Sequence, residues 1–600
     1  MTNQQMPDLF YGERIRELET ALTPLKKKRS RFGWLRLVLI LGFIVSLWYT
    51  IVSGLLILVA LSAVLLAAFL FFVAADLNND KKIKNTEELI RINEEEQSYQ
   101  HHEFHSFPDG ARFQPAVHDY AGDLDIFGKA SLYQYINRTS SEQGQATLAA
   151  WLLSPAKAEE LPGRQEAIRE LAEKTIWRQQ LQADGRKDRI TNHTEKKITD
   201  WLRENENPVT HPSWAWLRYL LPALSMGSVL FYSFDAIGAP LFSALIFFFF
   251  VFSLYTSKLV MPSYRQLNKI ANEVDTLSGS IAGVEKENFQ SPFLQIRQSV
   301  FRQPQGTASK TLRSLKKIID RLDYRLNPIV FIPLNTLVFW DIQQAFALEK
   351  WKKENKEPIK GWFSTLAEFE SLASLGTLYF NHPAWVFPEW VDGDGILISE
   401  GLGHPLIDRN KRKTSDFSTN GPGKISLITG SNMAGKSTFL RSVGVNIVLA
   451  MAGAPVCARH LKLSHLKVIS SMRVSDNLEE STSTFYAELK KLKYIIGAVN
   501  RKEKVILLLD EILRGTNSAD RHAGSTALIR QLIRQDAVAL VATHDLELAK
   551  MEDQYREHID NYHFDVQVEG EELYFDYTLK KGVCQSMNAS LLMKKIGIDL

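Results

Sequence analysis

The sequence has almost no cysteine and almost no excess of charge of either sign. Its 600 residues include two cysteines, Cys457 and Cys584, too few for a disulfide scaffold and without the spacing of a zinc site. Lysine and arginine number 71 and aspartate and glutamate 68, so the net charge is +3. This near-balance excludes the overall basic field of a histone-like protein, and any contact with nucleic acid must come from a local patch.

Charge is also absent from two long stretches. Residues 37–75 include no Asp, Glu, Lys or Arg over 39 positions, and residues 219–257 include one, Asp235, over 39 positions. A helix of that length would measure about 58 Å, nearly twice the ~30 Å core of a bilayer. Turn residues at 53–54 and 235–240 divide each stretch in two. We therefore predict two transmembrane helical hairpins with four spans; two buried hairpins of a soluble core are the alternative.

Basic residues flank both stretches. Arg218 and Lys258 bracket the second, and the first is flanked by Lys26, Lys27, Lys28, Arg29, Arg31, Arg36, Lys81, Lys82 and Lys84. Because basic flanks stay on the cytoplasmic side, both termini are predicted to be cytoplasmic. The predicted location is a bacterial-type inner (plasma) membrane, crossed several times.

A nucleotide loop follows in the C-terminal third. Residues 424–429 are typical of a buried strand, and the next nine match the phosphate-loop pattern GxxxxGK[ST]: Gly430, Ser431, Asn432, Met433, Ala434, Gly435, Lys436, Ser437 and Thr438. The backbone N–H groups of such a loop cradle phosphates, the lysine reaches the β and γ oxygens, and the serine ligates Mg²⁺. This pattern predicts ATP and Mg²⁺ as ligands.

Two further apolar runs end in polar residues. Residues 505–509 are followed by Asp510 and Glu511, and residues 537–542 by Thr543 and His544. Apolar runs bounded in this way are typical of parallel strands buried on both faces. We predict that Asp510 holds Mg²⁺, that Glu511 polarises the attacking water, and that His544 senses the γ-phosphate. A histidine that merely ends a strand is the alternative for His544.

Together these segments resemble the MutS family. The resemblance rests on Asn432-Met433 inside the loop, on Ser483-Thr484-Phe485 with Glu488, on residues 510–516, on Thr543-His544 and on Gly403-His404-Pro405. Residues 124–165 and 369–383 are more weakly similar to the start and end of that family's core and lever domain. The family's mismatch-reading domain has no counterpart before residue 115, and the expected helical tail is missing after Ser586.

The resemblance implies an ATPase that works as a dimer. Its nucleotide sites lie between subunits, and Ser483 would cap the γ-phosphate bound by the partner subunit. The catalytic set is then Glu511, His544, Lys436 and Ser483, with Ser437 and Asp510 at the metal. The predicted partners are a second copy of the chain, the membrane and duplex DNA.

The predicted fold is an α/β phosphate-loop ATPase domain after an all-α core and lever region with two transmembrane hairpins. The predicted domains are a cytoplasmic segment 1–33, hairpin 34–76, linker 77–114, core/lever 115–213, hairpin 214–258, core/lever 259–395 and ATPase domain 396–600. The predicted function is a membrane-anchored, MutS-like ATPase acting on DNA. An ATP-driven membrane switch or scaffold without mismatch recognition is the alternative.

Two basic groups stand out in the sequence. The first is a local cluster just before the nucleotide loop: Arg409, Lys411, Arg412 and Lys413. The second recurs at helical spacing and is a candidate for DNA contact, although a solvated lever face explains it at least as well: Lys310, Arg313, Lys316, Lys317, Arg321 and Arg325. A transporter ATPase is disfavoured. Its Leu-Ser-Gly-Gly-Gln signature has only the look-alike at residues 277–280, on the wrong side of the nucleotide loop.

Overall fold

The computed structural model describes residues 7–204, 211–303, 306–356, 358–431, 434–473, 484–569 and 572–584. It is mostly helical. The helices are α1 (Pro7–Ser53), α2 (Leu56–Gln100), α3 (Leu132–Ile136), α4 (Glu142–Leu153), α5 (Leu161–Glu173), α6 (Thr175–Gly185), α7 (Asn192–Arg203), α8 (Pro212–Ser233), α9 (Ala239–Asn268), α10 (Ala271–Lys286), α11 (Pro292–Ser299), α12 (Ala308–Leu322), α13 (Pro328–Val338), α14 (Trp340–Asn355), α15 (Ile359–Asn381), α16 (Lys436–Ala452), α17 (Thr484–Asn500), α18 (Ser518–Arg534), α19 (Leu546–Ala549) and α20 (Met551–Gln554).

The strands lie mainly in the C-terminal third. They are β1 (Arg302–Gln303), β2 (Gly306–Thr307), β3 (Glu389–Trp390), β4 (Ile396–Leu402), β5 (Ser415–Asn420), β6 (Ile425–Thr429), β7 (His460–Leu463), β8 (Lys467–Ser471), β9 (Val505–Asp510), β10 (Val538–Thr543), β11 (Ile559–Glu569) and β12 (Glu572–Lys581). The chain divides into two compact units, one of residues 1–106 with 176–184 and one of residues 107–175 with 185–600.

The first unit is a long antiparallel helical hairpin. The helices α1 and α2 run well beyond the charge-free stretch, and their polar ends are joined by ion pairs between Arg36 and Asp76 at 3.0 Å and between Arg29 and Asp80 at 2.6 Å. Gln179 donates a hydrogen bond to Asn93 at 2.8 Å, which places residues 176–184 against the polar end of the hairpin. The apolar halves of both helices are largely exposed.

The second unit contains a helical region built around the buried helix α15. Glu370 lies within it and accepts hydrogen bonds from the backbone N–H and the hydroxyl of Ser141, at 3.0 and 2.6 Å. Ser371 donates to the carbonyl of Gly144 at 3.2 Å. The two segments that resemble the start and end of a core domain therefore pack against each other, although more than 200 residues separate them.

The nucleotide loop belongs to a six-stranded sheet of order β12-β11-β6-β10-β9-β8, in which β12 alone is antiparallel to its neighbour. The strands β6, β9 and β10 are wholly buried, as is expected of central parallel strands covered on both faces. One face packs against α17 and α18. On the other face α16 approaches so closely that a Cβ at Gly444 would lie 2.7 Å from Leu508.

Three described helices, α1, α2 and α9, are long and apolar enough to cross a membrane. The pair α13 and α14, bent by 79°, would supply a fourth span if both helices formed one. Within the described residues α8 is not among these helices, because Arg218 and its serines lower its hydropathy. The membrane crossing of the two predicted hairpins and the number of spans therefore stay predictions.

Candidate nucleotide-binding site

The three polar strand ends meet at one edge of the sheet. Strand β10 lies between β6 and β9 and is parallel to both, and its residues Ala542 and Thr543 pair with Asp510 and Thr429. The residues that follow these strands are Gly430, Glu511 and His544. The sequence placed each of them at a strand end, and the strand order makes them neighbours.

The nucleotide loop depends on its two glycines. Gly430 has φ +148° and Gly435 has φ +110°, values that side chains rarely allow. A Cβ at Gly430 would lie 3.0 Å from the carbonyl oxygen of Phe564, and one at Gly435 would lie 3.2 Å from Tyr577.

The other loop residues are placed as follows. Ala434 and Lys436 are buried, Ser431 and Ser437 are partly exposed and Thr438 is exposed, while Asn432 and Met433 lie outside the described residues. Helix α16 begins at Lys436, so its N-terminal N–H groups lie at the end of the loop.

Lys436 is buried inside this loop, with 4% of its surface exposed. Its Nζ donates to the carbonyl oxygens of Gly430 at 2.8 Å and of Ser431 at 2.9 Å, and it lies 3.4 Å from the ring of His544. Burial lowers the pKa of Lys436 to about 8, although Glu511 and Asp510 act in the opposite direction. The carbonyl oxygens and the two carboxylates therefore offset the burial of the ammonium group only in part, and an anion there would stabilise it further.

Glu511 and His544 form a pair beside the lysine. One carboxylate oxygen of Glu511 contacts Nε2 of His544, and the other lies 3.1 Å from Nε of Arg514. The Nδ1 atom of His544 lies 2.9 Å from the carbonyl oxygen of Gly430. The hydrogen bond with His544 lowers the pKa of Glu511 in spite of partial burial. Glu511 is thus ionised and held in place, an arrangement that suits orienting a water better than removing its proton.

Asp510 is the strand-end carboxylate with unused hydrogen-bonding capacity. Only 7% of the residue is exposed, and within the described part of the chain its Oδ1 atom has no hydrogen-bond partner. The described residues include no group of three or more His, Cys, Asp or Glu side chains that could hold a metal. A site with few protein ligands suits Mg²⁺, which keeps several waters and binds one or two protein oxygens with phosphates.

Glu488 has a role in this site that sequence reasoning missed. Its carboxylate accepts hydrogen bonds from the backbone N–H of Leu513 and, at 3.1 Å, from that of Arg514. Glu511 and Leu513 both have positive φ, +50° and +62°, which is strained for residues with a side chain. Glu488 therefore ties α17 to the strained loop that presents Glu511. Ser483, which precedes Glu488 by five residues in the sequence, lies outside the described residues.

The helical region is tied to the nucleotide site through two aspartates that were not predicted as site residues. Asp123 accepts hydrogen bonds from the hydroxyl of Ser470 at 2.6 Å and from the backbone N–H of Arg473 at 2.9 Å. Asp125 pairs with Arg473 at 2.7 Å and with Arg441 at 3.6 Å. Arg441 lies on α16 and Arg473 follows β8, so one carboxylate contacts both the nucleotide-loop helix and the chain leading towards Ser483. Such long-range pairing has no sequence signal.

A cavity of about 200 Å³ adjoins the nucleotide loop. Its lining includes Gly435 and Thr438 of the loop together with His404, Lys411, Lys413, Phe439 and Tyr577. Burial lowers the pKa of His404 to about 4, so this imidazole is neutral. Two lysines of the first basic group therefore line a cavity, and Arg412 donates hydrogen bonds to the carbonyl oxygens of Pro405 and Ile407.

Comparison with known proteins gives matches to MutS proteins over the C-terminal region of the chain. Residues 426–595 match the family model of MutS domain V. The DNA mismatch repair protein MutS of Chlorobium phaeovibrioides is 33% identical over 224 residues, which cover 36% of this chain and 25% of that protein. For MutS of Acetivibrio thermocellus the values are 31% over 261 residues, covering 42% and 28%. Human MutS protein homolog 4 is 30% identical over 218 residues, covering 34% and 22%.

The chain thus spans about a quarter of the length of these curated relatives. The matched residues contain all three strand ends described above, from the nucleotide loop to His544. The C-terminal region of the chain, residues 426–595, matches MutS domain V, and this match relates that region to the MutS family.

Proposed function

We propose that this protein is a membrane-anchored MutS-family ATPase that binds and hydrolyses ATP with Mg²⁺ and acts on DNA. The observation that carries the proposal is the meeting of Lys436, Asp510, Glu511 and His544 at the ends of adjacent parallel strands. A lysine, a carboxylate with one unpartnered oxygen and an oriented glutamate–histidine pair around a glycine loop are parts that phosphoryl transfer to water requires.

The loop fits the phosphates of a nucleotide. Lys436 is buried against carbonyl oxygens, and the φ values of Gly430 and Gly435 let backbone N–H groups turn towards an anion. The N-terminus of α16 adds its dipole. The adjoining cavity, with Phe439, Tyr577 and the neutral His404 in its lining, provides apolar and aromatic surface for the base of the nucleotide.

Ser437 and Asp510 would hold the magnesium ion. The ion would offset the negative charge of the phosphates. The unpartnered Oδ1 atom of Asp510 is a hard oxygen ligand of the kind this ion prefers. Glu511 would orient the attacking water, while His544 holds Glu511 and lies within reach of Lys436.

Two substitutions in the full-length protein separate binding from hydrolysis. Glu511→Gln keeps the side-chain volume and leaves Lys436 and Asp510 in place, so ATP affinity should stay near that of the wild type. Hydrolysis should slow by at least about a hundredfold, the loss typical of a missing water-orienting group. Lys436→Ala should instead abolish binding, because the phosphate charge is no longer compensated. Hydrolysis by Glu511→Gln at the wild-type rate would refute the assigned role.

The membrane anchor is proposed from the apolar helices α1, α2 and α9, with α8 as the further span that the sequence predicts. The basic residues around them support the proposal that both termini and the C-terminal domain are cytoplasmic in a bacterial-type cell. Reporter fusions after residue 100 and at the C-terminus test this topology. Both fusions should score as cytoplasmic, and a fusion that scores as external would overturn the proposal.

DNA binding is proposed because the relatives that match the C-terminal region are named DNA mismatch repair proteins. The full-length protein in detergent should bind duplex DNA with an affinity that falls steeply as salt rises. Comparing a mismatched with a perfect duplex then tests mismatch recognition. Salt-independent or absent binding would leave an ATP-driven switch without a DNA substrate.

Action as a dimer is proposed from the same family relationship. Ser483 would then contact the γ-phosphate held by the partner subunit, so that each nucleotide closes one interface. The Glu511→Gln protein, which retains ATP, should accumulate as a closed dimer. Size-exclusion chromatography with light scattering measures this; a monomer under ATP saturation would contradict it.

A further inference from the structure

An apolar segment within the predicted core/lever region 259–395 forms a loop whose two ends meet. Residues 326–340 include no charged side chain, and their centre is the helix α13. Arg325 precedes the segment and Asp341 follows it. These two side chains form an ion pair at 2.7 Å, with 7% and 0% of their surfaces exposed.

Further contacts close the base of this loop. The indole N–H of Trp340 donates to the carbonyl oxygen of Arg321 at 2.8 Å. The rings of Tyr324 and Trp340 stack with centroids 5.8 Å apart. The chain therefore leaves and returns at the same place, and the base carries two aromatic rings and an ion pair.

One side of α13 packs against the second predicted hairpin. Ser225 of α8 donates to the carbonyl oxygen of Leu337 at 2.5 Å, and Asn335 donates to the hydroxyl of Ser257 on α9 at 3.0 Å. Further from the base, Ile332 lines a cavity together with Ile246 of α9. Helix α13 thus lies alongside the apolar part of α9.

The other side of the loop is exposed and apolar. Exposure reaches 71% at Leu326 and 86% at Ile329, and on α9 it is 67% at Phe247. The cavity between α13, α8 and α9 measures about 580 Å³ and is lined almost entirely by apolar side chains. An apolar surface of this kind, continuous with a helix suited to a bilayer, requires an apolar partner.

We propose that residues 326–340 form a re-entrant loop that dips into the bilayer beside α8 and α9, with lipid acyl chains covering its exposed face. The inference rests on the proposed membrane anchor. Eleven helical residues measure about 16 Å, roughly half of the hydrocarbon core.

The backbone and the base both suit this position. Asn327 caps the first turn of α13 by accepting from the backbone N–H of Ile329. At the other end the backbone N–H of Phe339 donates to the carbonyl oxygen of Asn335 at 3.1 Å, so both ends of the helix are capped. The aromatic pair and the ion pair at the base lie where interfacial and charged groups belong.

The loop leaves the topology unchanged. Helix α14 carries Glu349, Lys350, Lys352, Lys353 and Glu354, so it does not continue α13 across the membrane. Helix α12, which precedes the loop, is also basic, and Arg313, Lys317 and Arg321 are exposed on it. The chain therefore enters and leaves on the side where positive charge accumulates, and the C-terminal domain stays on that side.

The test uses the full-length protein in lipid vesicles with a fluorescent thiol label on Ile329→Cys. Phe247→Cys on α9 is the membrane control, and Lys317→Cys on α12 is the aqueous control. The native Cys457 and Cys584 are buried. Label at 329 should be quenched by nitroxide lipids several-fold more than label at 317, and little by iodide.

Three results would overturn the proposal. Quenching by iodide alone would place Ile329 in water, and protection from both quenchers would place it in an interface between copies. Reaction of Ile329→Cys with an impermeant thiol reagent added outside intact cells would make α13 part of a full span. If label at 247 is also unquenched by lipid, the membrane anchor itself fails, whereas quenching at 247 without quenching at 329 refutes only the loop.

Discussion

Replacing Glu488 by glutamine should slow ATP hydrolysis while leaving nucleotide binding nearly unchanged. The carboxylate of Glu488 holds the backbone N–H groups of Leu513 and Arg514. Glutamine has the same size, but it offers one acceptor oxygen, and its amide group brings a donor towards a donor. The substitution therefore removes one of two charge-assisted hydrogen bonds and weakens the other.

The size of the effect follows from the loop. Left-handed backbone at Glu511 and Leu513 costs about 1–2 kcal/mol for each residue. Each hydrogen bond to a charged group contributes about 1.5–3 kcal/mol, so the two bonds can hold a loop that would otherwise relax. Loss of one bond, expressed fully as misplacement of Glu511, would lower kcat by roughly 10- to 150-fold.

The assay compares kcat, KM and equilibrium ATP affinity of the full-length protein in detergent. Glu557→Gln, at an exposed glutamate of the same domain, is the matched control and should behave as the wild type. The affinity for ATP should change little in Glu488→Gln, because the proposed contacts with phosphate come from the Gly430 loop and from Lys436. A raised KM with unchanged kcat, or no change in either, would refute the reasoning.

The pH profile separates positioning from simple stability. Burial raises the pKa of Glu488, although the backbone N–H groups act against this. Its contribution to stability is therefore present below the pKa of the unfolded chain and is lost as pH rises through the folded pKa. Glu488→Gln should accordingly keep its melting temperature at neutral pH. On mild acidification, protonation of Glu488 should reduce kcat of the wild type but not of the variant.

Three further predictions concern other parts of the chain. The pKa of Lys436 is lowered to about 8, so ATP affinity should fall by roughly tenfold per pH unit as pH rises above that value. The Lys436→Arg variant should not show this fall. Isothermal titration of both proteins with ATP at pH 7 and pH 9 tests the prediction. Mixing inactive Lys436→Ala and Ser483→Ala chains should restore about one composite site per heterodimer by the family arrangement, and a mixture with no hydrolysis would contradict the shared site. Arg325→Met alone should destabilise the protein by about 3–5 kcal/mol, because it leaves Asp341 buried and unpaired, whereas Arg325→Met with Asp341→Leu should recover most of the loss in thermal unfolding.

Much of the nucleotide site could be predicted from sequence because its parts are local. A phosphate loop needs glycines and a lysine at fixed spacing between a strand and a helix, and Gly430, Gly435 and Lys436 show that spacing directly. Buried parallel strands are continuous apolar runs, so the residues that end them stand out. The same holds for the charge-free stretches, since the absence of charge over a span is itself the signal.

The sequence by itself thus determined the glycine loop between a strand and a helix, the polar strand ends and the apolar helices, because each of these is a pattern of contiguous residues. Nucleotide binding by that loop stays a prediction. Only the tertiary structure decided that Glu488 holds the loop of Glu511, that Asp125 contacts both Arg441 and Arg473, and that Arg325 closes an apolar loop with Asp341. The residues of these pairs have no fixed separation in the sequence. A buried carboxylate bonds to whichever donor the packing of the chain brings next to it, because buried polar groups need a hydrogen-bond partner. In the sequence Arg325 is one more residue of a basic stripe, whereas in the structure its side chain is buried and paired with Asp341.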